Sequence, residues 1–490
     1  MNWPRFAFVG CAALVFAVKS LAAEPVAILA DAAERDDLPA VRALLDERVH
    51  VDGAQVDGMT ALHWAAYHDN PTAAEWLVEA GADAEAANRY GVTPLSIACT
   101  NGNARIVELL LEAGADPNTS LRGGETVLMT AARTGELRPV KSLIARGAEV
   151  NATEHNGQTA LMWAAAEGHV DVVQALLEAG ADFRTPLESG FTPFFFAVRE
   201  GRTDVVLALL KAGIDVNDAM RPKKRAEFGP GKGMSALILA VENAHFELAA
   251  ALLDAGADAN DQRSGVTALH LITSVRKPNS GDDGNAPPVG SGKLSSLQFV
   301  RVLVEHGADV NARLKHGASG TGQLNRRGAT PFLLAADTAD VPLMKLLVEL
   351  GADPLLPNAD KCTPLMAAAG IGTLAPGEEA GTEEEALQAA KLALELGGDV
   401  NAVDNNGETA MHGAAYNSLP KMVQWLAEKG AQEEVWNRKN RYGWTPLLIA
   451  QGYRPGNFKP SPETIDALER VMSAEARSAA EEPPKSVNEY

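Results

Sequence analysis

Several residue clusters in this 490-residue chain invite a chemical reading. Gly229 to Lys232 (GPGK) and Gly290 to Lys293 (GSGK) carry the glycines and lysine of a phosphate-cradling loop. Such a loop also needs a Gly five residues before the Gly-Lys pair and a Ser or Thr after the Lys, to supply backbone N–H groups and a hydroxyl. Neither motif has them: Lys232 precedes Gly233 and Lys293 precedes Leu294, so both read as flexible linker. The run Asp282, Asp283, Gly284, Asn285 lacks the alternating ligands and closing Glu of a calcium loop and reads as a solvated turn. HExxH, GxSxG and CxxC are absent, so no catalytic residue, metal or cofactor is assigned. What does stand out is positive charge. Arg221, Lys223, Lys224, Arg225 and Lys232 form one group, Arg313, Lys315, Arg326 and Arg327 a second, and Arg438, Lys439 and Arg441 a third. Tyr90, Tyr442 and Trp444 occupy comparable places in the pattern, and Tyr, Trp and Arg are the residues that dominate binding hot spots.

The groups are conspicuous because the chain around them is acidic, with 43 Lys+Arg against 64 Asp+Glu and a net charge of -21. That balance argues against a broad nucleic-acid or anionic-membrane surface, which must be basic. Three cysteines, Cys11, Cys99 and Cys362, are too few for a disulfide framework.

The elements that carry the groups repeat. Thr60, Thr93, Thr126, Thr159 and Thr192 recur every 33 residues, and Ser235, Thr267, Thr330, Thr363, Thr409 and Thr445 continue the series with interruptions. The glycines Gly81, Gly114, Gly147, Gly180, Gly213, Gly256, Gly307, Gly351, Gly397 and Gly430 run in phase with them. In one copy Thr93 can cap a helix start, and Pro94 suits the first helical position. Ile106, Val107, Leu110 and Leu111 give the apolar stripe of a second helix, and Gly114 suits the left-handed residue that ends it. A single antiparallel pair cannot bury both faces, so the pairs must stack, with small residues such as Ala65, Ala66, Ala98, Ala131 and Ala132 allowing close approach.

The G-x-T-P-L-H-x-A-A signature, followed by a Leu-rich helix and G-A-D-x-N, resembles the ankyrin repeat from about Asp57 to Met472. The resemblance implies an all-α solenoid of about twelve helix pairs joined by hairpin fingers: eleven with the signature and an N-terminal capping pair at 24–56. The repeats are assigned to 57–473, and 474–490 is expected to be a disordered tail. The resemblance also implies that His63, His270 and His412 bridge neighbouring turns, and that the fingers border a concave face bearing Tyr67, His68, Arg133, Thr134, Arg199, Glu200, Tyr416 and Asn417.

Spacing places the interruptions. An unmodified copy has 21 residues from Thr to Gly and 12 from Gly to the next Thr. Inserts at 277–294 and 370–385 therefore fall between the helices of one pair, on the edge away from the fingers, whereas inserts at 220–233 and 313–327 lengthen fingers. The basic groups lie on the lengthened fingers. The N-terminus, with Arg5, the apolar run Phe6 to Val18, and Ser20, Ala22 and Ala23 before Glu24, reads as a signal peptide at 1–23. The expectation is a non-enzymatic, monomeric, exported scaffold, periplasmic or extracellular and bacterial, with no membrane span once processed. It binds another protein through its concave face and fingers; an anionic polymer or envelope component on the basic fingers is the second expectation, and an enzyme using the long inserts the remote one.

Overall fold

The computed structural model describes residues 27–223, 232–278, 287–317, 324–373, 376–377, 380–453 and 459–474. By packing density the chain separates into two units, residues 1–155 and 156–490. In the first unit the helices are α1 (Ile28–Glu34), α2 (Leu38–Asp46), α3 (Ala61–Tyr67), α4 (Pro71–Glu79), α5 (Pro94–Asn101), α6 (Ala104–Glu112), α7 (Val127–Thr134) and α8 (Leu137–Ala145).

The second unit runs from α9 (Ala160–Glu167), α10 (Val170–Glu178), α11 (Pro193–Arg199), α12 (Thr203–Lys211), α13 (Ala236–Glu242) and α14 (Phe246–Asp254) to α15 (Ala268–Arg276), α16 (Ser296–Glu305), α17 (Pro331–Asp337) and α18 (Val341–Glu349). It ends with α19 (Pro364–Ala368), α20 (Glu383–Glu395), α21 (Ala410–Tyr416), α22 (Pro420–Glu428), the single turn α23 (Glu433–Trp436), α24 (Pro446–Ala450) and α25 (Pro462–Val471). Leaving α23 aside, these form twelve antiparallel pairs, and none of the described helices is long and apolar enough to cross a membrane.

Local chemistry sets the boundaries. Every Thr or Ser of the periodic series is the N-cap of its first helix; in α5 the Thr93 hydroxyl oxygen accepts from the Ser96 N–H at 3.2 Å. Each in-phase glycine has positive φ, for example +98° at Gly114, the residue after the C-cap Ala113 of α6. The second helices bury the stripe expected of them, Ile106, Val107, Leu110 and Leu111 in α6. Ala65, Ala66, Ala131 and Ala132 are buried between neighbouring first helices.

Within each unit, polar ladders then tie neighbouring pairs together. His63 is buried, and because its Nδ1 accepts from the Thr60 N–H (3.2 Å), its Nε2 carries the proton and donates to the Val92 carbonyl of the following repeat (3.0 Å). His270 and His412 make the same link to the carbonyls of Ala329 (3.1 Å) and Arg438 (3.2 Å). Burial holds both rings down at about 4, so they stay neutral and fit for this role. A second ladder uses Asn. Asn118 donates to the Gly147 carbonyl and accepts from the Glu149 N–H, and Asn217, Asn260, Asn311 and Asn401 repeat the pattern in the second unit.

Candidate interaction surfaces

The finger edge is more ordered than its polar sequence suggests. Ordinary tips are closed by an Asn or Asp five residues before the capping Thr: the Asn88 side chain accepts from the N–H groups of Tyr90 and Val92, Asn358 from Asp360 and Cys362, Asp404 from Asn406 and Glu408, and Asn440 from Tyr442 and Trp444. Adjacent tips are then stitched by backbone bonds. The Arg89 N–H donates to the Asp57 carbonyl and that of His155 to Gly123 in the first unit; in the second, Lys223 donates to Glu188, Ala359 to Arg327, Asn405 to Asp360 and Arg441 to Asn406.

The two long fingers share a built neck. Met220 N–H donates to the Met234 carbonyl and Gly233 N–H returns to Met220, around a fully buried Met220. Leu314 and its partners Ala329 and Gly328 repeat this in the second finger. Beyond the necks, Arg221, Lys223, Lys232, Arg313, Lys315, Arg326 and Arg327 are exposed, while Lys224 and Arg225 lie outside the described residues. Arg313 spends part of its guanidinium on the Pro357 carbonyl (2.9 Å), and Gln262 of the preceding tip holds the backbone of Arg313 and Lys315. Each neck thus leaves exposed cations on the finger it closes, in the second unit.

At the third finger Arg438, Lys439 and Arg441 are exposed. Arg441 bonds Asn406 (2.7 Å) and sits over the Tyr442 ring at 4.9 Å. Trp444 corrects the expectation of an aromatic tip offered to a partner: it is 9% exposed, stacked 5.2 Å from Tyr442, and belongs to the packed interior. Tyr416 is likewise buried rather than on a binding face, with its hydroxyl donating to Glu408 (2.7 Å). Asn440 also donates to Glu408, at 2.9 Å. Burial, reinforced by Asp404, pushes the Glu408 carboxyl up to about 7 despite these two donors. Tyr90, by contrast, is 66% exposed.

The long inserts also depart from expectation. Residues 370–385 join α19 to α20, the two helices of one pair, as the spacing expects, but Gly372 also packs against the backbone of Leu324 in the second finger. The segment leaves α19 at Gly370, where a Cβ would strike Asn417 and the Gly413 carbonyl, and returns at Gly381 beside Ala339. Its described residues line a cleft of about 540 Å³ with Arg326, Asp337 and Glu383 on the walls. The GSGK segment is likewise docked rather than loose. Gly290 packs on the Ala244 carbonyl, Ser291 N–H donates to His245 Nδ1 (2.9 Å) and Lys293 N–H to Glu247 (2.6 Å). The two inserts are braced by Lys277 to Glu385 (2.9 Å), and beside them Arg276, at the end of α15, pairs with the buried Asp340 that caps α18 (2.6 Å). The GPGK residues Gly229 to Gly231 and the Asp282 to Asn285 cluster lie outside the described residues.

Helix pairs stacked through Thr caps, His bridges and stitched fingers define an all-α repeat protein whose exposed variation is concentrated on fingers and first helices. The ankyrin-repeat family model, as three-copy arrays, matches residues 28–121, 128–220 and 380–458, and a single ankyrin repeat matches 232–263. These cover more than half of the chain, and the chain belongs to the ankyrin-repeat family. The longest unmatched stretch between these matches, 264–379, holds the inserts at 277–294 and 313–327 and most of that at 370–385. A segment is similar to the mouse (Mus musculus) B-cell lymphoma 3 protein homolog, 35% identical over 119 residues; the match spans 21% of this chain and 24% of that protein. Repeats of this family serve as protein-protein interaction scaffolds.

Proposed function

We propose that the protein is an exported scaffold that binds a protein partner along the finger edge and adjoining first helices of its second unit. The observation that carries this reading is the basic finger edge. Hydrogen-bonded necks hold Arg221, Lys223, Arg326 and Arg327 outward on a strongly acidic chain, and Arg326 also lines the cleft made by 370–383. A fixed cationic edge on a chain of net charge -21 orients an approaching acidic partner and raises its association rate. The core is consumed by stacking, which leaves these surfaces for recognition.

The test replaces Lys223, Lys224, Arg225, Arg326 and Arg327 with Ala, after isolating the partner with the unmodified chain. Slower association at low salt with an unchanged melting curve is the expected result. Equal rates would reduce the fingers to solvated charge. The same exposed cations favour a second reading, an anionic polymer or envelope component, which retention of the unmodified chain on a matching polymer and not on proteins would establish. An enzyme seated in the inserts is the remote reading. Export rests on the charged start, apolar run and small-residue exit of residues 1–23. Intact mass from an exporting host should show cleavage after Ala22 or Ala23, and a full-length cytosolic species would sink it.

A further inference from the structure

The most exposed large apolar side chains described in the first unit are Val56 (83%), Tyr90 (66%) and Tyr67 (59%), and they lie on neighbouring elements. Val56 follows Gln55, which Trp64 of α3 bonds, and its tip is joined to that of Tyr90 by the Arg89 to Asp57 backbone bond; Tyr67 is the last residue of α3, three residues on from Trp64. Tyr67 packs edge-on against Trp64 (5.4 Å between centroids) and against His68 (5.3 Å), while Trp64 and His68 stack at 6.0 Å. The cluster is held from behind. Trp64 Nε1 donates to Gln55 (2.8 Å), whose amide nitrogen is anchored by Asp31 and Glu34, and His68 Nε2 bonds the Glu34 carbonyl oxygen (2.8 Å).

Stacking does not require this tyrosine. The register of Tyr67 is filled elsewhere by Thr100, Arg133, Ala166, Arg199, Glu242, Ser274 and Asp337. The one other tyrosine there, Tyr416, is buried with its hydroxyl engaged. Tyr67 instead leaves more than half of its surface to solvent in a pre-positioned aromatic group.

The charge around that group has one dominant sign. Asp31 and Glu34 on α1, Asp36 in the following turn, Asp57 on the tip and Asp69 after α3 surround it, against Arg35 in the first turn and Arg89 on the second tip. Aromatic faces attract Lys and Arg through their quadrupole, and carboxylates beside them strengthen the preference. An acidic ligand would meet repulsion here.

We propose that the surface formed by Trp64, Tyr67 and His68, flanked by Val56 and Tyr90, docks a segment of a partner protein bearing Lys or Arg beside an apolar residue. This surface is independent of the basic fingers and has the opposite charge preference, so it stands or falls separately from the reading above.

The test uses the full chain and short fluorescein-labelled peptides of alternating Lys and Leu, or of alternating Glu and Leu, read by anisotropy at physiological salt. Binding of the Lys–Leu peptide should weaken roughly tenfold in Tyr67→Ala, the loss of one hot-spot side chain. Tyr67→Phe, which keeps the ring, should bind as the unmodified chain does, and Tyr90→Ala should lose affinity without a change in melting temperature. Substituting Arg326 and Arg327 with Ala should leave this binding intact. Equal affinity for the unmodified chain and Tyr67→Ala would show mere attraction to an acidic protein and overturn the proposal, as would preference for the Glu–Leu peptide. Self-association of the unmixed chain that Tyr67→Ala abolishes would assign the surface to a second copy and also overturn it.

Discussion

Replacing Glu408 with Gln should make the protein more stable at pH 8 while leaving it nearly unchanged near pH 4.5. Glu408 is 4% exposed and accepts from Tyr416 and Asn440. Burial raises its carboxyl from 4.5 to about 7. A carboxyl raised on folding is protonated in the folded chain while the unfolded chain has already ionised, so stability falls as pH rises from about 4.5 to 7 and is flat above. At 1.36 kcal/mol per pH unit the rise amounts to about 3 kcal/mol, lost by pH 8. Asp404, also raised by burial, adds in the same direction. Gln keeps the carbonyl oxygen that Tyr416 and Asn440 need but carries no charge, so it should abolish most of the slope. Repeat arrays open locally, so the assay is hydrogen exchange of amides in 404–450 from pH 5 to 8, corrected for intrinsic rates. Protection in the unmodified chain should fall towards neutral pH, and in Glu408→Gln it should fall much less, by the part that Asp404 contributes. A variant less protected than the parent at pH 8, or one with the same slope, would refute the account of a carboxylate ionised at a cost.

Two further outcomes follow from buried groups. Arg276→Ala should destabilise the second unit by about 3 to 5 kcal/mol, because it strands Asp340, whose side chain is 1% exposed, without its cation; urea titration of the variant checks this, and a loss below 1 kcal/mol would show that water replaces the guanidinium. Cys99 and Cys362 are free and buried, and burial pushes the Cys99 thiol up to about 12 and that of Cys362 above its usual range. Ellman titration should therefore find neither reactive in the native processed chain and both free after unfolding without reductant.

What could be read from the residues alone divides by range. Caps and stops are decided within a few residues, so Thr93 with Pro94 and Gly114 announced α5 and the end of α6. The destinations of the inserts depend on contacts with residues tens of positions away. Nothing near Gly372 indicates that Leu324 will lie against it, and nothing near Gly290 points to Ala244. Residue type alone does not reveal the burial of Trp444, because its stacking on Tyr442 is set by the closure of the Asn440 turn. That turn did leave a signal, a recurring Asn or Asp five residues before the capping Thr. The Glu408, Tyr416 and Asn440 group was invisible because its members are contributed by two repeats.

The brace between the inserts bears on how such a chain can change its length over evolution. Where each helix pair touches its immediate neighbours alone, duplicating or deleting a whole unit recreates the same junction, and copy number can drift at little cost. Lys277 breaks that freedom, because it bonds the Ala339 carbonyl in the next repeat and Glu385 in the one after. Ser291 does so in the other direction, bonding His245 one repeat back and lying against Gly201 in the repeat before that. Recombination within this stretch would sever contacts that no neighbouring copy can supply, so the segment from Gly201 to Glu385 is expected to be inherited as a block in lineages where the flanking repeats vary in number.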